Sequence, residues 1–155
     1  ASGASPTARA DLDDQATATT AVAELADVDW LAETVAATGI PQRALAAYAG
    51  ASIAANAQYP SCGIGWNTLA AIGQVESGHG SIDGAVLGDD GWVSPSIIGV
   101  ALDGSSNVAA VADTDAGTLD GDDQWDHALG PMQFLPATWA QAAQDGNRDG
   151  AHDAD

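Results

Sequence analysis

Hydrophobic positions recur with helical spacing in four stretches of the chain and lose that rhythm between the third and the fourth. Leu25, Val28, Leu31 and Val35 follow one another at three- and four-residue steps, the spacing that stacks side chains on one face of a helix. A first helix is expected over about 21–37, stopped by Gly39 and Pro41. Ile40-Pro41 opens a second, PQRALAAYAGASIAANAQ, with Leu45, Tyr48 and Ile53 as its larger apolar residues. Proline suits its first turn because the N–H it lacks has no partner there. Tyr59-Pro60 ends that helix, and a third is expected over 65–77, GWNTLAAIGQVES, with Trp66, Leu69, Ile72 and Gly73 along one stripe. A last helix fits PATWAQAAQ, with Pro136 near its first turn, and ends before Asp145-Gly146.

Residues 1–20 are rich in Ala, Ser, Thr and Asp without apolar periodicity and read as a flexible leader, with one domain over 21–155. From Gly78 to about Gly130, Gly, Asp and Ser abound, and apolar runs such as WVSPSIIGVAL are short enough for strand or turn. A long irregular insertion of this kind is usually functional or disordered.

Composition sharpens the picture in two ways. The chain has 155 residues, enough for one ordinary domain, and 35 of its apolar residues are alanine, so its core must rest on close helix contacts more than on bulk. Against 22 acids stand three arginines and no lysine, a net charge of −19. That excludes nucleic-acid binding through basic patches and a basic membrane-surface helix. A membrane span would need roughly 20 unbroken apolar residues, and no stretch approaches that. The start lacks the layout of a signal peptide, although its small residues suit the product of signal cleavage. Cys62 is the one cysteine, either a small buried thiol or half of a disulfide whose partner lies elsewhere.

The candidate chemistry centres on Glu76. The other two glutamates, Glu24 and Glu33, belong to the first helix, where a solvated face explains them. Glu76 falls seven, four and three residues after Leu69, Ile72 and Gly73, on their stripe and in the last helical turn. Desolvation and the negative end of the helix dipole both disfavour a charged carboxylate there. A raised pKa is expected, as a general acid near neutral pH requires. A helix-end glutamate that simply reaches water is the plain alternative.

Around it stands AAIGQVESGHG, followed about fifty residues later by DHALGPMQFLPATW, with IPQRALAAY, the CGIGW entry and the DTDAGTLDGDDQWD loop between and before. Together these segments resemble the lytic transglycosylases of the lysozyme-like superfamily, in particular the lytic transglycosylase B family as it occurs in actinobacteria. The resemblance runs from about Ile40 to the end of the chain. It implies a mainly α, lysozyme-like (α+β) domain in which a Glu-Ser pair ends a buried helix and a Gly-x-x-Gln-Phe segment forms the opposite wall of a glycan cleft. By that resemblance Glu76 is the single catalytic acid and Ser77 a hydroxyl that orients or polarises the site. Gln133 hydrogen-bonds substrate or Glu76, and Met132 and Phe134 line the cleft, with plain core packing as the alternative for the last two. Trp125, in the insertion, is a candidate platform for a sugar face, ahead of Trp92. His79 is read as shaping the turn after Glu76, and the histidines and cysteine lack zinc-site spacing.

The implied substrate is the peptidoglycan glycan strand, cleaved between N-acetylmuramic acid and N-acetylglucosamine with formation of a 1,6-anhydro-muramoyl product. One carboxyl serves as acid and then as base toward the substrate's own C6 hydroxyl, where most glycosidases employ two. A muramidase that hydrolyses the same bond, and a non-catalytic glycan- or calcium-binding module, are the alternatives. The partners expected are the glycan strand, with no nucleic acid and no membrane span, acting as a monomer in a secreted or cell-envelope setting. Asp120, Asp122 and Asp126 precede the Gln-Phe wall and are read as a solvated acidic loop or as further acids near the cleft.

No cofactor is required for the chemistry, but a structural calcium ion is expected. Asp145-Gly146-Asn147-Arg148-Asp149-Gly150 reproduces the first half of an EF-hand loop, with oxygen ligands at its first, third and fifth places and glycine at its sixth. Ala151 would offer its carbonyl and Asp153 its side chain or a water, while the closing twelfth place falls just beyond Asp155. A calcium loop also accompanies the resembled fold. Related catalytic domains continue past this loop into helices that carry a tyrosine-bearing stretch and a cysteine suited to Cys62, so the domain is expected to be incomplete at its C-terminal end.

Overall fold

The computed structural model describes residues 4–152. Among them helix dominates the regular structure: α1 (Asp14–Thr19), α2 (Val28–Thr38), α3 (Gln42–Gln58), α4 (Trp66–Ser77) and α5 (Pro136–Ala142), with one two-stranded antiparallel sheet, β1 (Val86–Leu87) and β2 (Val93–Ser94). No helix among the described residues is long and apolar enough to cross a membrane. The chain divides into two compact units, Ala1–Val75 with Asp145–Ala151, and Glu76–Gln144 with His152–Asp155.

In the first unit the single helix expected over 21–37 is two pieces, a 3₁₀ turn at Val22–Glu24 and α2. Asp27 makes the break, because its side chain accepts the N–H groups of Asp29 and Trp30 and so begins a new helix. Gly39, at φ 74°, ends it in the left-handed conformation that glycine adopts at no steric cost. The alanine-rich α3 buries Ala44, Leu45, Tyr48, Ala49 and Ser52, and its small residues admit close neighbours. A methyl group on Gly50 would stand 1.7 Å from the carbonyl oxygen of Val22, so the 3₁₀ turn rests directly on helix backbone. Ser52 Oγ and Asn56 Nδ2 each donate to the Ile64 carbonyl at 2.8 Å and fix the turn that leads into α4. Trp30 meets Trp66 edge to face, with ring centroids 5.5 Å apart.

The segment expected to be a flexible leader carries structure instead. It contains α1, its Arg9 N–H bonds the Leu25 carbonyl, and Asp27 N–H bonds the Thr7 carbonyl. Composition predicts poor intrinsic order here, but strand-like pairing with residues 25–27 satisfies the backbone from outside the segment. Cys62 is exposed, so the buried-thiol reading does not hold.

The second unit holds most of the expected insertion, and its order comes from loops tied by single bridges. Ala85, Val93 and Ile97 form a small buried cluster with Leu87 against it. Isolated bridges join Ile98 to Leu129, Asp103 to Ala110, Ala112 to Trp125 and Leu129 to Phe134. Between them aspartates act as local backbone acceptors: Asp90 for Trp92 N–H, Asp103 for Ser105, Asp120 for Asp122 and Asp122 for Gln124. A carboxylate that accepts the N–H two residues on replaces a secondary-structure bond and lets a Gly- and Asp-rich chain turn repeatedly without losing satisfaction.

Candidate active site at the end of helix α4

The buried stripe of α4 is Trp66, Ala70, Gly73 and Ser77. It keeps Trp66 and Gly73 of the stripe expected but takes Ala70 and Ser77 in place of Leu69 and Glu76, leaving Ile72 40% and Val75 83% exposed. The small residues occupy the packed face because they permit close approach, and the larger aliphatic ones are left outside it. Glu76 therefore lies beside the buried stripe, and it is exposed. The desolvation expected around its carboxyl is not provided in the free protein.

Ser77 takes the position expected of Glu76. It is 1% exposed, its Oγ–H donates to the Pro131 carbonyl at 2.7 Å, and its Oγ accepts the Gly80 N–H at 2.8 Å. An enclosed hydroxyl engaged in this way cannot contact a polymer, so its expected role at the substrate is corrected to one of attachment. Two motifs 54 residues apart, Glu-Ser and Gly-Pro-Met-Gln-Phe, are thereby joined by a direct hydrogen bond. His79 follows at φ 60°, 7% exposed, and burial lowers its imidazole pKa below the usual value. It shapes the turn, as its position suggests.

The facing segment is a tight loop. Leu129 and Phe134 exchange both backbone hydrogen bonds, at 2.8 and 2.9 Å, around Gly130–Gln133. Gln133 holds φ 51°, a left-handed conformation that a side chain rarely adopts. Its Nε2 donates to the Gly130 carbonyl at 3.0 Å and more weakly to that of Ala128 at 3.4 Å, which clamps the amide to its own turn. No hydrogen bond to Gln133 Oε1 is present among the described residues, and a Cβ on Gly99 would come within 3.1 Å of it. Gln133 is half-buried, as are Met132 and Phe134. Phe134 stacks at a tilt on Trp139, centroids 5.7 Å apart, which supports the packing reading for that ring.

Gln133→Ala removes this clamp as well as a polar wall group, so it should cost about 1 kcal/mol of stability and lower turnover of glycan per folded molecule. Chemical denaturation paired with rates on purified peptidoglycan separates the two effects. Unaltered turnover with lowered stability would make Gln133 purely structural.

Of the acids that precede the wall, Asp126 is buried, while Asp120 and Asp122 are partly exposed. Asp126 is 0% exposed and accepts both the N–H and the hydroxyl of Thr114. Asp120 accepts the His127 N–H, and His127 spans Gly99 O at 2.7 Å and Asp122 Oδ2 at 3.2 Å. The Gly99 carbonyl first, and then Asp122 and Asp120, raise the imidazole pKa above its ordinary value. Asp122 in turn is held below the usual carboxylate range, first by the Gln124 N–H and then by His127. Trp125 is half-buried and donates its N–H to Asp122 on this same loop. Oxygen atoms of Asp113, Asp115 and Asp126 all lie within 4.8 Å of one another. Sequence spacing joins Asp113 and Asp115 but gives no sign of Asp126 as the third member, because the register that brings it back is set by the Ala112 to Trp125 bridge.

The EF-hand-like segment belongs to the first unit, whereas Glu76 and Gln133 belong to the second. Asp145 accepts the N–H groups of Asp149 and Gly150, and Asp149 accepts that of Ala151. Arg148 at φ 65° and Gly150 at φ 93° make the bends, and the Val22 N–H donates to the Gly146 carbonyl at 2.7 Å. Asn147 presents Nδ2 to Asp149 at 2.8 Å. Asp153 lies outside the described residues. A separate cavity of about 320 Å³ in the first unit is lined by Ser52, Asn56, Ile64 and Trp66 among others, and by none of the residues singled out for chemistry.

Compared with known proteins, the chain matches no family model, no curated sequence and no solved structure.

Proposed function

We propose that this chain is a peptidoglycan-cleaving domain that acts by lytic transglycosylation at the bond between N-acetylmuramic acid and N-acetylglucosamine. The observation that carries the reading is the Ser77 Oγ to Pro131 carbonyl hydrogen bond, which fastens the helix end bearing Glu76 to the loop bearing Gln133. A carboxyl and a polar amide held on two rigidly connected elements are what a glycan cleft needs to orient a glycosidic oxygen. Exposure of Glu76 makes it accessible to a polymer, and the bound sugar would supply the desolvation that the free protein does not. Gln133 Oε1 is available to a sugar hydroxyl or acetamido N–H.

In this reaction Glu76 would protonate the leaving glycosidic oxygen and then, as carboxylate, accept the proton of the C6 hydroxyl as that oxygen closes on C1. Atoms balance without water, so the product pair has the mass of the substrate. Mass spectrometry of soluble products from purified peptidoglycan tests this directly. Anhydro-muramoyl ends support the proposal, whereas products heavier by one water identify a muramidase. Binding with no product at any calcium concentration leaves a glycan-binding module.

The Asp145–Ala151 loop supports a second, structural element of the reading: a calcium ion held by Asp145, Asn147 and Asp149 with the Ala151 carbonyl. Its bends and its oxygen-rich places fit an oxygen-seeking cation, although Asn147 must turn its amide to offer Oδ1. Binding to the folded chain raises stability as RT ln(1 + [Ca²⁺]/Kd), so the melting temperature should climb with calcium. Asp145→Ala should reduce that climb and leave glycan cleavage at saturating calcium unchanged. Equal calcium responses in the two proteins would remove the loop from consideration.

A further inference from the structure

We infer that Asp113, Asp115 and Asp126 form a second divalent-cation site, for calcium, in the unit that carries Glu76. The inference stands whether or not the chain cleaves peptidoglycan.

Two observations beyond the clustering of acids point to a ligand. Asp115 Oδ1 is shut off from solvent and receives no hydrogen bond, while Asp115 Oδ2 is engaged by the Leu119 N–H at 2.9 Å. Asp126 is wholly buried, and among the described residues the donors on its carboxylate are the N–H and the single hydroxyl proton of Thr114. A carboxylate offers about four acceptor sites, so Asp126 keeps unfilled capacity in a place that water does not reach. Leaving a buried polar atom unsatisfied is costly, and a cation beside Asp115 Oδ1 resolves that deficit.

Electrostatics favours the same partner. All three arginines of the chain, Arg9, Arg43 and Arg148, belong to the first unit, and there is no lysine, so the unit holding this cluster has no permanent cation of its own. Asp113 accepts the backbone N–H groups of Asp115, Ala116 and Gly117, which turn its carboxylate into the loop. Three carboxylates this close repel strongly unless a counter-charge or shared protons intervene.

The geometry suits calcium. Oxygens bound to one calcium ion at 2.3–2.6 Å can be separated by at most about 5 Å, and the three ligand atoms lie within 4.8 Å. Magnesium retains several waters and is seldom held by an all-protein set of carboxylates, so calcium is the better match.

The test is calcium titration of the full chain by calorimetry, carried out in the Asp145→Ala background so that the EF-hand-like loop is silenced. One calcium ion per chain is expected to remain, and Asp115→Asn is expected to weaken it at least tenfold. Asp115→Asn keeps the shape of the side chain, and circular dichroism checks its fold. Hydrogen exchange of the otherwise unaltered chain gives a second measurement that needs no substitution in the site. Amides of residues 113–126 should exchange more slowly in calcium than in chelator. Absence of calcium binding in Asp145→Ala, equal affinity in the Asp115→Asn chain, or exchange in 113–126 indifferent to calcium each overturns the site, and the last would assign the cluster to carboxyls that share protons.

Discussion

Glu76→Gln should lower the rate of soluble-fragment release from purified peptidoglycan by about 10² to 10⁴, the usual contribution of a positioned general acid. Its melting temperature should stay near that of the parent, because the side chain is exposed and its replacement has the same shape. Binding to insoluble peptidoglycan should persist, since the amide retains hydrogen-bonding capacity while losing the proton to give. The decisive comparison is turnover per folded molecule. Full activity in the Glu76→Gln chain would take the acid role away from this residue and leave the Ser77 to Pro131 attachment as a purely structural contact.

The second large effect concerns stability. Gly50→Ala places a methyl group 1.7 Å from the Val22 carbonyl oxygen, 2.6 Å from its carbon and 3.2 Å from its Cγ1. Two of those atoms are backbone, so the clash cannot be relieved by a rotamer change. Overpacking of a close contact costs about 1–3 kcal/mol and occasionally more. Alanine returns about 1 kcal/mol through helix propensity, which leaves a net loss of up to about 2 kcal/mol if the 3₁₀ turn must shift off α3. Urea denaturation should show a lower midpoint with an unchanged slope. A midpoint equal to or above that of the parent would mean that Val22–Glu24 is not seated on α3 in solution.

The calcium experiments separate two loops that composition alone treats alike. Asp145, Asn147 and Asp149 are exposed or partly so and satisfy one another and their own backbone. Asp113, Asp115 and Asp126 include a fully buried carboxylate and a sealed, unpartnered oxygen. Calcium loss from the first should soften a surface turn, whereas loss from the second should loosen the segment that leads into the Gly130–Gln133 loop.

Local pattern by itself determined where four of the described α-helices lie, though not α1. The runs ahead of Gly39, after Pro41, before Gly78 and after Leu135 became α2, α3, α4 and α5, because caps, prolines and three- to four-residue spacing act over one or two turns. It also determined the character of the 78–130 stretch, since aspartate and glycine bend the chain through local bonds wherever they occur. The scarcity of basic residues left the second unit with no lysine or arginine of its own. What only tertiary structure decided is which way each element faces. The packed face of α4 kept Trp66 and Gly73 but took Ala70 and Ser77 where Leu69 and Glu76 were expected, which buries Ser77 and leaves Glu76 exposed. Asp126 joined Asp113 and Asp115 through a bridge between residues 112 and 125. The segment before residue 20 gained order from pairing with residues 25–27. In each case the outcome depends on a neighbour distant in sequence, whose shape and hydrogen-bonding groups local spacing does not encode.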